Sequence, residues 1–231
     1  MNWLIGFYNY RVVAESLPQL AAGLAVTIEV SGAAFVLALV LGIALASART
    51  FGGILVKRAV VAYVEAVRST PLLIQLYVLY FALGPLPLIG RLTAFEAGVI
   101  ALGFNGAAYF GEILRAGLES VSRQQSEAAR ALGMSAWQTF RLVILPQAIR
   151  HVVPPLIGQT AMLIKDSSIV SFVGIVDLTG AGTATMNDRL LPNEGFLTIA
   201  ACYLVIYLMS LGLVAIVTKR KSQKRAEPRK W

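Results

Sequence analysis

Apolar residues along this chain gather into five long windows separated by short polar stretches. Crossing a bilayer core takes about 20 mostly apolar residues in a helix. Ala21–Ala46 carries only Glu29 as a charge, Ala59–Leu83 contains Glu65 and Arg68, and Thr93–Leu114 contains Glu96 and Glu112. Val152–Val176 contains the neighbours Lys165 and Asp166, and Phe196–Val217 contains no charge. Leu17-Pro18, Pro85-Leu86-Pro87 and Leu191-Pro192 punctuate the ends of these windows. The pattern predicts an all-α, polytopic membrane protein of about five helices. The apolar start Trp3–Tyr10 is too short to span and suits an interfacial turn. It lacks the preceding basic residue and the following small-residue site of a cleaved signal peptide.

Composition removes the soluble readings. Charged residues make up 14% and apolar ones 57%, with mean hydropathy +0.72, whereas a soluble domain carries about 25% charged residues. One cysteine, Cys202, excludes a disulfide framework, and one histidine, His151, leaves no His-rich metal site or Ser/His/Asp triad. The net charge of +8 reflects how the positive residues are placed, and requires no nucleic acid. Arg49, Lys57 and Arg58 follow the first window, and Arg115, Arg123, Arg130, Arg141 and Arg150 surround the segment after the third. Seven more lie in the tail, from Lys219 to Lys230. Positively charged loops stay in the cytoplasm, so the N-terminus is expected outside and the C-terminus inside. Residues 1–218 then form one transmembrane domain, with a cytoplasmic loop at about 119–150. Residues 219–231 form a basic tail suited to anionic lipid headgroups.

Within that loop, Gln125–Gly133 reads as a short helix that Ser126 is placed to cap and Gly133 to end in a left-handed conformation. Met134–Leu145 resumes helical spacing, and Pro146 marks the start of the fourth span. A small, alanine-faced helix ending in glycine suits either docking into a groove on another protein or lying on headgroups.

Ionisable groups inside spans are costly and mark pathways or buried pairs. Glu65, Arg68 and Gln75 share one face of the second window, and Asn105, Tyr109 and Glu112 one stripe of the third. At 1.5 Å per residue from Lys57, a continuous helix puts Arg68 about 16 Å deep. Either these stripes face a path for a zwitterionic solute, or Glu65 pairs with Arg68 and Glu112 with Arg115. Thr70-Pro71 permits a hinge, a pocket or a plain bend. Lys165-Asp166-Ser167-Ser168 reads as a gate or a structural network. Glu29 suits the face of a partner subunit, and His151 a headgroup contact. The external segment Gly174–Glu194 is a polar loop, open to a solute-binding protein or to solvent alone.

Glu127-Ala128-Ala129, Gly133 and Ile144-Leu145-Pro146, at this spacing between two spans on the positive side, resemble the "EAA" loop of ABC importer permeases. Glu65–Gln75, including Ser69-Thr70-Pro71, and Ala108–Gly117, including Tyr109 and Glu112, are similar to segments of the polar amino acid branch. So are Leu145–Arg150 and Lys165-Asp166-Ser167-Ser168. The resemblance covers roughly residues 63–178. It implies a MetI-like fold, with Glu127–Gly133 as a coupling helix inserted into a cytoplasmic ABC ATPase dimer. It also implies a second permease subunit, identical or homologous, and an extracytoplasmic amino-acid-binding protein. ATP and Mg would sit in the ATPase, since this chain has no Gly-x-x-x-x-Gly-Lys-Ser/Thr loop and is not itself expected to be an enzyme. Arg68, Thr70, Pro71, Gln75, Asn105, Tyr109, Glu112, Lys165, Asp166 and Ser167 are the solute-path candidates. Arg68 suits a carboxylate, with a slight lean toward glutamate or aspartate. The rival reading is a secondary transporter coupled to an ion gradient through Glu65, Glu112 and Asp166. A membrane-embedded enzyme finds no paired catalytic set in any span.

Overall fold

The computed structural model describes residues 8–83 and 90–226, and the described residues contain helices and no strand. Helix α1 spans Tyr10–Phe51, α2 Ile54–Arg68 and α3 Leu72–Tyr77, the last continuing in π geometry through Val78–Leu83. Helix α4 spans Ala94–Glu119 and the short α5 Arg123–Ala131. A single turn, α6 (Ala136–Gln138), runs through a π segment into α7 (Leu145–Asp166), which tightens to 3-10 geometry over Ser167–Val173. Helix α8 (Leu178–Arg189) and α9 (Pro192–Ala226) complete the chain. Four of these stretches are long and apolar enough to cross a membrane, five if the bent pair α2–α3 counts as one.

That pair packs on α4 on both sides of its break. Val60 and Val64 of α2 pack on Ala108, in the half of α4 toward its C-terminal end. Leu76 of α3 packs on Ala97 and Ala101, near the start of α4. The two pieces, set 103° apart, contact α4 between Ala97 and Ala108, where the sequence predicts one helix.

Four other boundaries differ from expectation. Helix α1 passes through Pro18 without a break, although proline in its third turn forfeits the bond to the Ala14 carbonyl. Helix α5 starts at Ser122, whose hydroxyl accepts from the Gln124 N–H, whereas the Ser126 hydroxyl donates to the Arg123 carbonyl. The segment read as an external polar loop contains α8, capped by Asp177 accepting from the Gly180 N–H at 2.9 Å. The cluster of Leu20, Leu178 and Ala181 supplies the packing that Gly and Thr propensities do not. Asp177 is fully buried. That burial pushes its carboxyl above the ordinary aspartate range, against hydrogen bonds from the Gly180 and Thr179 backbone that favour the charged form. Helix α9 runs on to Ala226, past the expected boundary at 218. The Pro85–Pro87 stretch, most of Trp3–Tyr10 and the end of the basic tail lie outside the described residues.

The core is a seam of small residues. Val30, Ala34, Ala38 and Gly42 recur every fourth position on α1 and meet Leu102 and Phe110 of α4, together with Leu163 and Val170. Helix association in lipid gains little from the hydrophobic effect, so small residues that allow close backbone contact carry it. A Cβ at Gly42 would stand 2.8 Å from the Phe110 Cβ and 3.1 Å from the Gly111 backbone nitrogen. Gly42→Ala is therefore expected to lower stability by about 1–3 kcal/mol through overpacking. Gly32→Ala, whose Cβ meets nothing within 4 Å, should be neutral or stabilising by up to about 1 kcal/mol. Thermal unfolding of both variants in the same detergent measures the contrast.

Candidate functional site: a mid-membrane break and a cytoplasmic knob

The break between α2 and α3 follows from Pro71. Proline has no N–H to give the carbonyl four residues back, and it drives the preceding residue out of helical geometry. The carbonyls at the end of α2 must then find other donors. Ser69 N–H takes the Glu65 carbonyl at 2.9 Å, and the Thr70 hydroxyl donates to the Ala66 carbonyl at 2.9 Å. The Gln75 amide reaches back from α3 to the Val67 carbonyl at 2.8 Å, the Thr70 carbonyl at 3.1 Å and the Thr70 hydroxyl at 2.8 Å. Across on α4, Asn105 Nδ2 donates to Gln75 Oε1 at 3.1 Å.

Asn105 lies eleven residues into the 26-residue α4, roughly 17 Å from its start and close to mid-membrane. One turn further on, the Tyr109 ring carries the Arg68 guanidinium, whose Cζ is 5.2 Å from the ring centroid. The Glu65–Arg68 ion pair, one of the two readings of this stripe, does not form: both side chains are exposed, and among the described residues neither has a salt-bridge partner. Ser69, Thr70 and Pro71 are exposed as well. Irregular backbone is not tolerated against lipid, so this face must border water or another protein.

The remaining candidates make their direct contacts away from the broken backbone. The Glu112 carboxylate joins Arg49 at 2.6 Å and Arg115 at 2.8 Å, and Arg115 also reaches Glu119. The local Glu112–Arg115 pair is legible in the sequence; Arg49, 63 residues away, is not. The cluster ties the C-terminal ends of α1 and α4 together. Lys165 points toward α9, its Nζ 4.9 Å from the Tyr207 ring centroid. Asp166 is half-buried, while Ser167 is fully buried and donates to the Ile164 carbonyl at 2.8 Å. Tyr207 itself carries no sequence signal beyond an aromatic in an apolar span.

At the same end as the Arg49 cluster, α5 forms a protruding knob. Gly133, at φ +81°, closes it: its N–H meets the Arg130 carbonyl at 2.9 Å, and Met134 N–H meets the Ala129 carbonyl at 3.1 Å. This double bond with a left-handed residue is the Schellman ending, which glycine adopts without strain. Ala129 is buried against the body, leaving Glu127, Ala128, Ala131, Leu132 and Gly133 exposed, Leu132 at 83%. Ile144 and Leu145 are half-buried and Pro146 lies in the first turn of α7. Beside them Phe140 stacks on Trp137 at 6.0 Å and meets Phe51 edge-on at 6.3 Å, an aromatic belt of the kind found at membrane–water interfaces.

A polytopic helical protein with a broken mid-membrane helix and a helical knob on its positively charged end is built as a membrane permease that works with another protein. Residues 38–223 match the family described as the binding-protein-dependent transport system inner membrane component, and the chain belongs to that family. It is 33% identical to the glutamine transport system permease protein GlnP of Escherichia coli K12, over 87% of this chain and 92% of that one. It is also 33% identical to the nopaline transport system permease protein NocM of Agrobacterium fabrum C58, over 90% of each. The crystal structure of an amino acid ABC transporter with histidines superposes with a TM-score of 0.83 and 34% identity, over 90% of this chain and 96% of that one. The inward-facing MetNI methionine ABC transporter, at 22% identity and a TM-score of 0.63, shares the fold. This chain is thus an inner-membrane permease subunit of an amino-acid ABC importer.

Proposed function

We propose that the subunit passes polar amino acids bearing a free carboxylate through a path at the α2–α3 break, with Arg68 as the carboxylate receptor. The observation that carries this reading is an exposed guanidinium near mid-membrane that makes no salt bridge among the described residues, while Glu112, which feels its charge, is itself paired with Arg49 and Arg115. A charge held there without a pair is costly unless water or an anion meets it. Tyr109, half-buried beneath the guanidinium on α4, borders the same break. Its ring and hydroxyl fit the ammonium and side-chain ends of a small zwitterion.

The exposed break further supports a second permease subunit, of this chain or a homologue, that closes the path from the other side. The α5 knob fits a groove in a cytoplasmic ATPase dimer, which would bind ATP and Mg and perform the hydrolysis. The outer face would receive solute from a binding protein. ATP-dependent closure of the ATPase pulls α5 and biases the permease between inward and outward states, which requires the docked states to differ in free energy. The N-terminus faces outward and the cationic end of α1, α4 and α5 faces the cytoplasm.

Reconstitution with candidate ATPase and binding proteins tests the reading. Uptake should require ATP and all three components, and amino acids should be preferred over sugars or peptides. Transport by the chain alone on an ion gradient would sink it.

A further inference from the structure

We infer that Gln75 is a positioning residue: its side-chain amide replaces the backbone hydrogen bond that Pro71 removes, and Asn105 locks it in that role. In an uninterrupted helix the residue-71 N–H would meet the Val67 carbonyl. Here the Gln75 amide meets it at 2.8 Å, from the far side of a 103° bend. The directions of the bonds are forced. Val67 and Thr70 offer carbonyls, so Gln75 must turn its NH₂ to them and its oxygen to α4, where Asn105 must donate. The Thr70 hydroxyl spends its proton on the Ala66 carbonyl and can only accept from Gln75. One directed chain therefore runs from α4 through α3 to the end of α2, and it fixes the angle at which Arg68 leaves α2. Gln75 has every polar atom engaged within the chain, and that separates it from Arg68, whose guanidinium makes no salt bridge among the described residues. Of the polar residues at the break, Gln75 sets geometry and Arg68 meets solute.

The inference rests on the transport reading for its kinetics but has a readout of its own. In the assembled transporter, with Cys202→Ser as background, spin labels at Ala62→Cys and Val78→Cys report the α2–α3 distance. Both positions are exposed. Gln75→Leu and Asn105→Leu should broaden that distribution and lower maximal uptake about 10-fold, as expected for loss of a partly buried hydrogen bond that leaves its partner unpaired. The half-saturating solute concentration should stay within about two-fold. Asn105→Ser, which keeps a donor, should recover part of the rate and the narrow distribution. An unchanged distribution in Gln75→Leu, or a shifted half-saturation and amino-acid preference at normal maximal rate, would overturn the inference. If the parent complex shows no ATP-dependent uptake, the transport reading fails instead, and the label distances still decide whether Gln75 braces the bend.

Discussion

Gly133→Asp should abolish uptake while the protein inserts, folds and resists heat much as the parent does. A Cβ at position 133 meets nothing within 4 Å, so the substitution creates no internal clash. Its intrinsic cost is the left-handed backbone at φ +81°, about 1–2 kcal/mol for an L-residue and least for Asn or Asp. That is too little to unfold a helical membrane domain. What changes is the surface: a carboxylate appears at the tip of a knob, beside the exposed Ala131 and Leu132 and beyond the exposed charges of Glu127 and Arg130. In a docked groove that carboxylate would be desolvated without a partner, at a cost of several kcal/mol. Uptake and solute-stimulated ATP turnover should therefore fall at least about 100-fold, and the ATPase should no longer co-purify. Normal uptake would remove α5 from the coupling path. A fall in thermal midpoint of the isolated subunit would relocate the effect from docking to folding.

Long-range architecture was largely written in hydropathy, because a helix in lipid must satisfy its own backbone and an apolar run of sufficient length has few other states. The knob was equally legible. Ala-rich composition, a terminal glycine and flanking arginines specify a short exposed helix locally, and Gly133 adopts the expected left-handed ending. The break was not legible as a break, because proline is ambiguous in a span. Pro18, Pro154 and Pro155 all lie inside continuous helices. Pro71 differs only because Thr70, Gln75 and Asn105 absorb the freed carbonyls, and Asn105 is thirty residues further along. The pairing at Glu112 shows the same division. Its local partner Arg115 follows from helical spacing, whereas Arg49 is brought by tertiary packing. Spacing misled at Glu65 and Arg68, because a helix that ends at Arg68 frees that side chain to swing onto Tyr109. Helix α8 was hidden for the opposite reason: its sequence is a poor helix former, and its neighbours impose the conformation.

Arg68→Gln should reduce uptake about 100-fold and raise the half-saturating solute concentration with it. A guanidinium–carboxylate pair in a water-poor site is a charge-assisted, bidentate contact worth roughly 2–4 kcal/mol when one member is removed. Because it would be made in the bound state as well as during passage, its loss should appear in half-saturation and not in maximal rate alone. This pattern separates Arg68 from Gln75, whose loss should move the rate and spare half-saturation. Arg68→Lys keeps the charge but not the planar fork or the ring stacking, and should recover only part of the loss. Tyr109→Leu removes the ring beneath the guanidinium at 5.2 Å and should cost about 3- to 10-fold, the scale of a partly desolvated cation–π contact. The competing explanation is that Arg68 pairs with Glu65 of a second subunit across the path, both side chains being exposed on this one. Then Glu65→Gln alone should be as damaging as Arg68→Gln, and the double variant should transport better than either single one, because neither charge is left stranded. If Arg68 instead receives the solute carboxylate, Glu65→Gln should transport near the parent rate and the double variant should match Arg68→Gln.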